Sequence, residues 1–392
     1  MQRPLLLGLR WALVFTHLFT TAGLQSNGYY SAAVQQDPTA SSGQVTTSTG
    51  KYLIASFPDL KQVAYCALPD SVWRPLVIGD IVSPKALAVD SGHNRLFVAD
   101  SATSRVYYYE MYRRDGSGLL FTTGVQNVAL WGYDVYWMST NGDGDLYFTG
   151  KEVVSPPEST YDAVFRLDYA SVKGGNGKPT EIYTRSNSGA PTPAVWMPGG
   201  VGVDSFYVYW TNQEEGLTAG SVSKGPRLNI GSTNRLEAVS SVVSNTAENR
   251  GMALTSSFIY WLATDGVYGI SKGTAGGSLN PNEGKIADPP GADPANAVWD
   301  PRSIAFDGEG TLFLTDNLAG KVYTLSGTST FPHALTKFVD APGVHGVAVL
   351  QIWASASSDL LEATRGGAAA RHPYLAFVLL MCWVRALGLG CQ

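Results

Sequence analysis

Lys85, Tyr136 (or Gln126), Gly199 followed by Gly200, Arg250, Arg302 and His345 occupy matching places in a short unit that recurs along the chain. Four of these six positions are cationic or can become so, and none is a carboxylate. A guanidinium grips an oxyanion with two parallel hydrogen bonds, and an ammonium adds a point charge. If the fold gathers them, Lys85, Tyr136, Arg250, Arg302 and His345 form a site for a carboxylate, a phosphate or a sulfated glycan. If it does not, they are loop cations facing solvent, because alignment of repeats carries no side-chain direction.

Other chemistry has less to stand on. Asp90, Asp204 and Asp307 recur after the first strand of the unit, and Asp100, Asn212 and Asp316 end its second strand. Asx side chains in such places bond their own backbone and cap turns. NGDGD at 141–145 lacks the twelve-residue ligand pattern and terminal Glu of a calcium loop, so it reads as a turn. G-x-S-x-G occurs once, as Gly269-Ile270-Ser271-Lys272-Gly273, but it runs into a Gly-, Asn- and Pro-rich loop where a nucleophile elbow needs a helix. The three cysteines, Cys66, Cys382 and Cys391, form no CxxC pair, and Cys66 inside VAYCAL reads as a small buried hydrophobe. No residue set calls for a metal or another cofactor.

The elements that must position these residues show in the repeat itself. It reads SPKALAVD then RLFVAD at 83–100, MPGGVGVD then FYVYWTN at 197–212, ENRGMALT then FIYWLAT at 248–264, and DPRSIAFD then GEGTLFLTD at 300–316. Weaker copies are DVYWMSTN then GDGDLYFTG at 134–150 and GVHGVAVL at 343–350. In the second copy VQNVALW at 125–131 is an alternative first strand, which is why Gln126 stands beside Tyr136. Matched positions fall 51, 63, 51, 52 and 43 residues apart. Four-stranded propeller blades run about 40–50 residues, so this is a blade period with one long loop near 153–162 or 170–180.

Outer strands follow each pair, as RVYYYEMY and LLFTTG follow LFVAD, and KVYTLS and LTKFVD follow LFLTD. YLIASF, KQVAYCAL and PLVIG at 52–79 supply the second to fourth strands of a blade that lacks its first, and GVHGVAVL supplies a first strand. Joining them closes a ring and removes two exposed edges. The expected fold is therefore all-β, a six-bladed propeller of four-stranded antiparallel blades over residues 51–358, closed by strands from both ends. Composition agrees: 43 Gly and 20 Tyr with only 15% charged residues suit short strands and tight turns. Tyr107, Tyr108, Tyr109, Trp210 and Trp261 are expected to pack between blades.

Both ends read as address labels. Arg3, an apolar stretch at 5–19 and the small residues Thr21-Ala22-Gly23 read as a signal peptide over residues 1–23. Residues 24–50, rich in Ser, Thr, Gln and Gly, read as a disordered lead-in. Residues 359–392 read as a small-residue spacer and a hydrophobic anchor signal. Their apolar run at 373–384 is short for a spanning helix, and Ser357-Ser358-Asp359 or Gly366-Gly367-Ala368 offers a lipid-attachment triplet. The expectation is a secreted or surface protein that meets a membrane only through this tail. A net charge of −5 without a basic run excludes a nucleic-acid surface. N-x-S/T sequons are absent.

LFVADSATSRVYYYE and LFLTDNLAGKVYTL resemble NHL repeats, while VYWTN and IYWLATDG resemble the YWTD repeats of lipoprotein-receptor ectodomains. PRSIAFDGEGTLFLTDNLAGKVY resembles the gluconolactonase and senescence-marker-protein family. The resemblance covers roughly residues 51–350 and implies a six-bladed propeller, whose blades' first strands line a channel. In the gluconolactonases it also implies a divalent cation held by a Glu, an Asn and an Asp around that channel. The corresponding places here read Arg302-Ser303 and Gly199-Gly200. A zinc site of several channel histidines, as in amidating lyases, would have to draw on His93, His333 and His345. The sequence thus favours a non-enzymatic recognition module that binds a ligand or protein partner at a propeller face. The alternative is a metal-dependent lactonase or esterase.

Overall fold

The structure, a computed structural model, describes residues 50–352 apart from 77, 115–116, 154–161, 176, 185–194, 214–219, 228–238, 274–283, 292–298 and 329–331. The expected signal segment, nearly all of the lead-in and the hydrophobic tail lie outside the described residues. Six antiparallel sheets follow one another round a ring, and each turns one edge strand to the centre. In ring order the inner strands are Pro84–Asp90 (blade 1), Tyr133–Thr140 (blade 2), Pro198–Val203 (blade 3), Asn249–Leu254 (blade 4), Pro301–Phe306 (blade 5) and Val347–Ile352 (blade 6).

Blade 6 joins the two ends of the described chain. Gly50–Phe57 pairs with Gln62–Ala67 on one side and Val347–Ile352 on the other, with Tyr52 opposite Leu350 and Ile54 opposite Ala348. The second strands are the most deeply buried. All six residues of Arg95–Asp100 are buried, because each second strand has a sheet neighbour on both sides and a blade on both faces.

One hydrophobic cluster fills each of the six gaps between blades. Leu96 and Tyr109 of blade 1 meet Ile54 and Leu350 of blade 6, for example, and Val201 of blade 3 meets Tyr147 of blade 2. The expected interblade aromatics are there: Trp210 of blade 3 stacks on Tyr183 of blade 2 at 4.8 Å, and Trp261, stacked on Tyr268 of its own blade at 5.4 Å, fills the gap between blades 3 and 4. Cys66 lies in the gap between blades 5 and 6, and burial pushes its thiol up to about 12. It behaves there as a hydrophobe.

Two local features differ from the sequence expectation. VQNVALW does not open blade 2. Asn127–Trp131 pairs with the first half of the nine-residue strand Arg105–Arg113, whose second half pairs with Leu120–Thr122. Gln126 is therefore at the outside of blade 1, where its amide donates to Asp80 O, and Tyr136 holds the inner position. The other feature is the helix Tyr169–Gly174, set between the third and fourth strands of blade 2, which lengthens that repeat. Asp168 caps it by accepting from Ser171 N, and Gly175 ends it at φ 72°.

Candidate functional site

The six aligned positions are the places where the inner strands bulge. In blade 1, Pro84 pairs with Asp100 and Leu87 with Val98, so Lys85 and Ala86 together face Ala99. The same surplus residue occurs at Gly199-Gly200, Arg250-Gly251 and Arg302-Ser303. Tyr136 is the extra residue of blade 2. In blade 6, Ser56 N–H donates to Gly346 O while His345 N–H donates to Ser56 O. A bulge re-aims one side chain and sharpens the local twist. Here that happens six times at the same height, next to the channel.

In every blade but the second, where it is Trp137, the residue after the bulged one is small, and at the glycines the reason is steric. A Cβ on Gly200 would stand 2.8 Å from Gly251 C, and one on Gly346 would stand 2.8 Å from Ser56 Oγ. At these two glycines the neighbouring backbone or side chain leaves no room for a Cβ.

Four buried hydroxyls hold the bulges of five blades. Thr211 Oγ1 accepts from Gly200 N (2.7 Å) in its own blade and donates to Arg250 O (2.7 Å) in the next. Thr315 accepts from Ser303 N (2.8 Å) and donates to His345 O (2.9 Å). Ser56 accepts from Gly346 N (2.8 Å) and donates to Lys85 O (2.6 Å), and Thr149 donates to Gly199 O (2.6 Å). All four are fully buried, so each clasp satisfies backbone groups that water cannot reach. Sequence reasoning missed these hydroxyls. Their signal was the Thr before the final residue of the second strand in YWTN and FLTD.

Asp and Asn side chains brace the loops that lead in. Asp100 accepts from Val82 N and Ser83 N, Asn212 from Trp196 N and Asp316 from Asp300 N. On the other side of the ring, Asp90, Asp204 and Asp307 cap turns as expected, the last accepting from Glu309, Gly310 and Thr311 N–H. NGDGD is a turn: Asn141 Oδ1 accepts from Asp143 N and Asp145 N, and Asp145 holds Arg166 at 2.8 Å.

Lys85, Tyr136, Gly199, Arg250, Arg302 and His345 all line one cavity of about 220 Å³ at the channel mouth. Two expectations about its charge need correction. Asp134 lines it as well, so the mouth does contain a carboxylate. Nor are the guanidiniums unpartnered. Arg250 pairs with Glu248 at 2.7 Å and meets Gln213 Oε1 at 3.3 Å, while Arg302 donates from Nη2 and Nε to one oxygen, Asp300 Oδ2, at 2.7 and 2.9 Å. In both pairs the acid lies two residues before the arginine, a spacing the alignment of single positions could not weigh. Lys85 and Asp134 form no ion pair with a described residue.

Tyr136 donates to Asp162 Oδ1 at 3.0 Å, and burial together with that carboxylate raises its pKa. His345 is pushed the other way. Burial, Arg302 and Lys85 bring its imidazole down to about 4, against a hydrogen bond to the Lys85 backbone. Its Nδ1 is buried without a partner.

Beyond the bulges the channel changes character. A second cavity of about 280 Å³ is lined by the later parts of the same strands, including Val89, Val203, Leu254, Phe306 and Val349. Trp137 lines both cavities. Its ring reaches past blade 3 to blade 4, where a Cβ on Gly251 would stand 2.6 Å from indole Cζ2. Among the described residues no group of three His, Cys, Asp or Glu side chains is placed to hold a metal ion.

This is the site of a six-bladed β-propeller with a charged channel mouth. No protein-family model matches the chain, and no curated protein sequence does. Solved structures similar to it include a nidogen/laminin complex (TM-score 0.46, 12% identity, covering 77% of this chain and 98% of that one). A gluconolactonase from Xanthomonas campestris is similar at TM-score 0.42 and 12% identity, over 69% of this chain and 85% of its own. Regucalcin from Agrobacterium tumefaciens, a calcium-binding protein, gives 0.43 and 12% over 70% and 79%.

Proposed function

We propose that the protein is a recognition module whose channel mouth binds a small ligand through an anionic group, a carboxylate or a phosphate. The observation that carries this is the convergence of Lys85, Arg250 and Arg302 on one cavity, with Lys85 unmatched by any acid among the described residues. The guanidiniums are held in place by Glu248 and Asp300, so their remaining N–H groups meet a ligand without reorganising. Lys85 supplies a positive charge that no ion pair with a described residue takes up. Bulges, clasps and braced loops keep the mouth rigid, which lowers the entropy cost of binding.

The test is calorimetric titration of the purified chain with propanoate and with inorganic phosphate. Lys85→Met should weaken binding at least tenfold, and Arg250→Ala with Arg302→Ala should weaken it further. Equal affinity in wild type and Lys85→Met would overturn the reading.

A further inference from the structure

The charges left unmatched at the mouth are of both signs. Arg250 and Arg302 are each balanced by an acid of their own, which leaves Lys85 and Asp134 as the lining charges without an ion pair among the described residues. Two further groups favour a positive or hydrogen-bond-donating partner. His345 Nδ1 is buried at the cavity without a partner, and the neutral ring protonated on Nε2 offers it as an acceptor. The Trp137 indole lines the same space, and an indole face attracts a cation. A plain anion would satisfy Lys85 and leave Asp134 and Nδ1 unmet, although unmet polar groups at a binding site are costly.

We propose that the ligand is a compact zwitterion, an amino-acid-like molecule whose carboxylate meets Lys85 and whose ammonium meets Asp134, Trp137 and His345 Nδ1. The proposal rests on the anion-binding reading and adds the second charge to it. The cavity, at about 220 Å³, is below the roughly 300–1,000 Å³ of pockets that take drug-sized ligands, which fits a molecule of this size.

The experiment titrates the purified chain with propanoate, propylammonium, alanine, β-alanine and 4-aminobutanoate under one set of conditions. The three zwitterions differ in charge separation. At least one should bind ten times more tightly than propanoate or propylammonium. Asp134→Asn should bring that zwitterion to the level of propanoate while propanoate binds as before or better, and Lys85→Met should weaken both. Asp134→Ala, checked for folding by near-ultraviolet circular dichroism, should repeat the result.

If propanoate binds and no zwitterion exceeds it, the anion site stands and the second charge is wrong. The same holds if Asp134→Asn leaves the ratio unchanged. Binding of propylammonium alone, or of none of the five, overturns both the zwitterion and the anion-binding reading.

Discussion

The two halves of the channel are built from the same six strands and differ in almost everything else. At the mouth each strand carries a surplus residue and turns Lys85, Tyr136, Arg250, Arg302 or His345 toward a shared space, with Gly199 leaving room in blade 3. Further along, pairing returns to register, as in Gly202 opposite Tyr209 and Val203 opposite Val208, and the lining becomes Val89, Leu254, Phe306 and Val349. Regular pleating sends successive side chains into the gaps between blades. A bulge gives up one step of the ladder and frees a side chain for the channel. The lesson is that one strand can pack a core with one end and furnish a site with the other, and that the boundary is a single extra residue.

The largest effect expected from breaking this contrast is a loss of stability in acid. The His345 imidazole, held at about 4 instead of 6.5, takes up its proton in the unfolded chain first. Its contribution is complete above pH 6.5 and is lost as the pH falls through that value to about 4, a total of roughly 3 kcal/mol. Urea unfolding between pH 7 and 4 should show a shallower slope in His345→Gln, and an identical slope would mean that His345 is not what acid attacks.

Next comes the clasp. Thr211→Val keeps the shape but leaves Gly200 N–H and Arg250 O unpaired in a dry place, at a cost of about 2 kcal/mol. Chemical denaturation measures it. The blade 4 counterpart of Thr211 is Leu262, so no such loss is available there.

Gly251→Ala would press against Trp137 and cost about 1–2 kcal/mol through overpacking. It should also change indole fluorescence and, because Trp137 lines both cavities, ligand affinity at the mouth. Unaltered fluorescence and affinity would show that the ring has room to step aside.

The smallest change is expected in the apolar half. Val203→Ala should cost less than about 1 kcal/mol, since its side chain is only partly buried, and should alter propanoate affinity less than twofold. A larger effect on binding would mean that the two halves act as one site.

The mouth was legible in the sequence because a bulge leaves a mark. A proline or polar residue, the bulged residue and a small residue recur as Pro84-Lys85-Ala86, Pro198-Gly199-Gly200, Asn249-Arg250-Gly251 and Pro301-Arg302-Ser303. Aligning the repeats aligned the bulges. What escaped was whatever depends on one blade meeting another. Trp137 sits one residue past its bulge and resembles any strand aromatic, yet its ring ends beside a glycine 114 positions away. Asp134 lies two residues before Tyr136, the offset that Glu248 and Asp300 have from Arg250 and Arg302, and aligning single positions passed over this acid place.

Strand alternation, blade period and the split sixth blade follow from local pattern and the need to cover edges, and these the chain determines without reference to its coordinates. Charge balance at the mouth, the depressed His345 and the division of the channel by Trp137 were decided only by the tertiary structure. Steric contact acts within a few ångströms and charge interactions within about 10 Å, and neighbours at that range are set by the closing of the ring, not by distance along the chain.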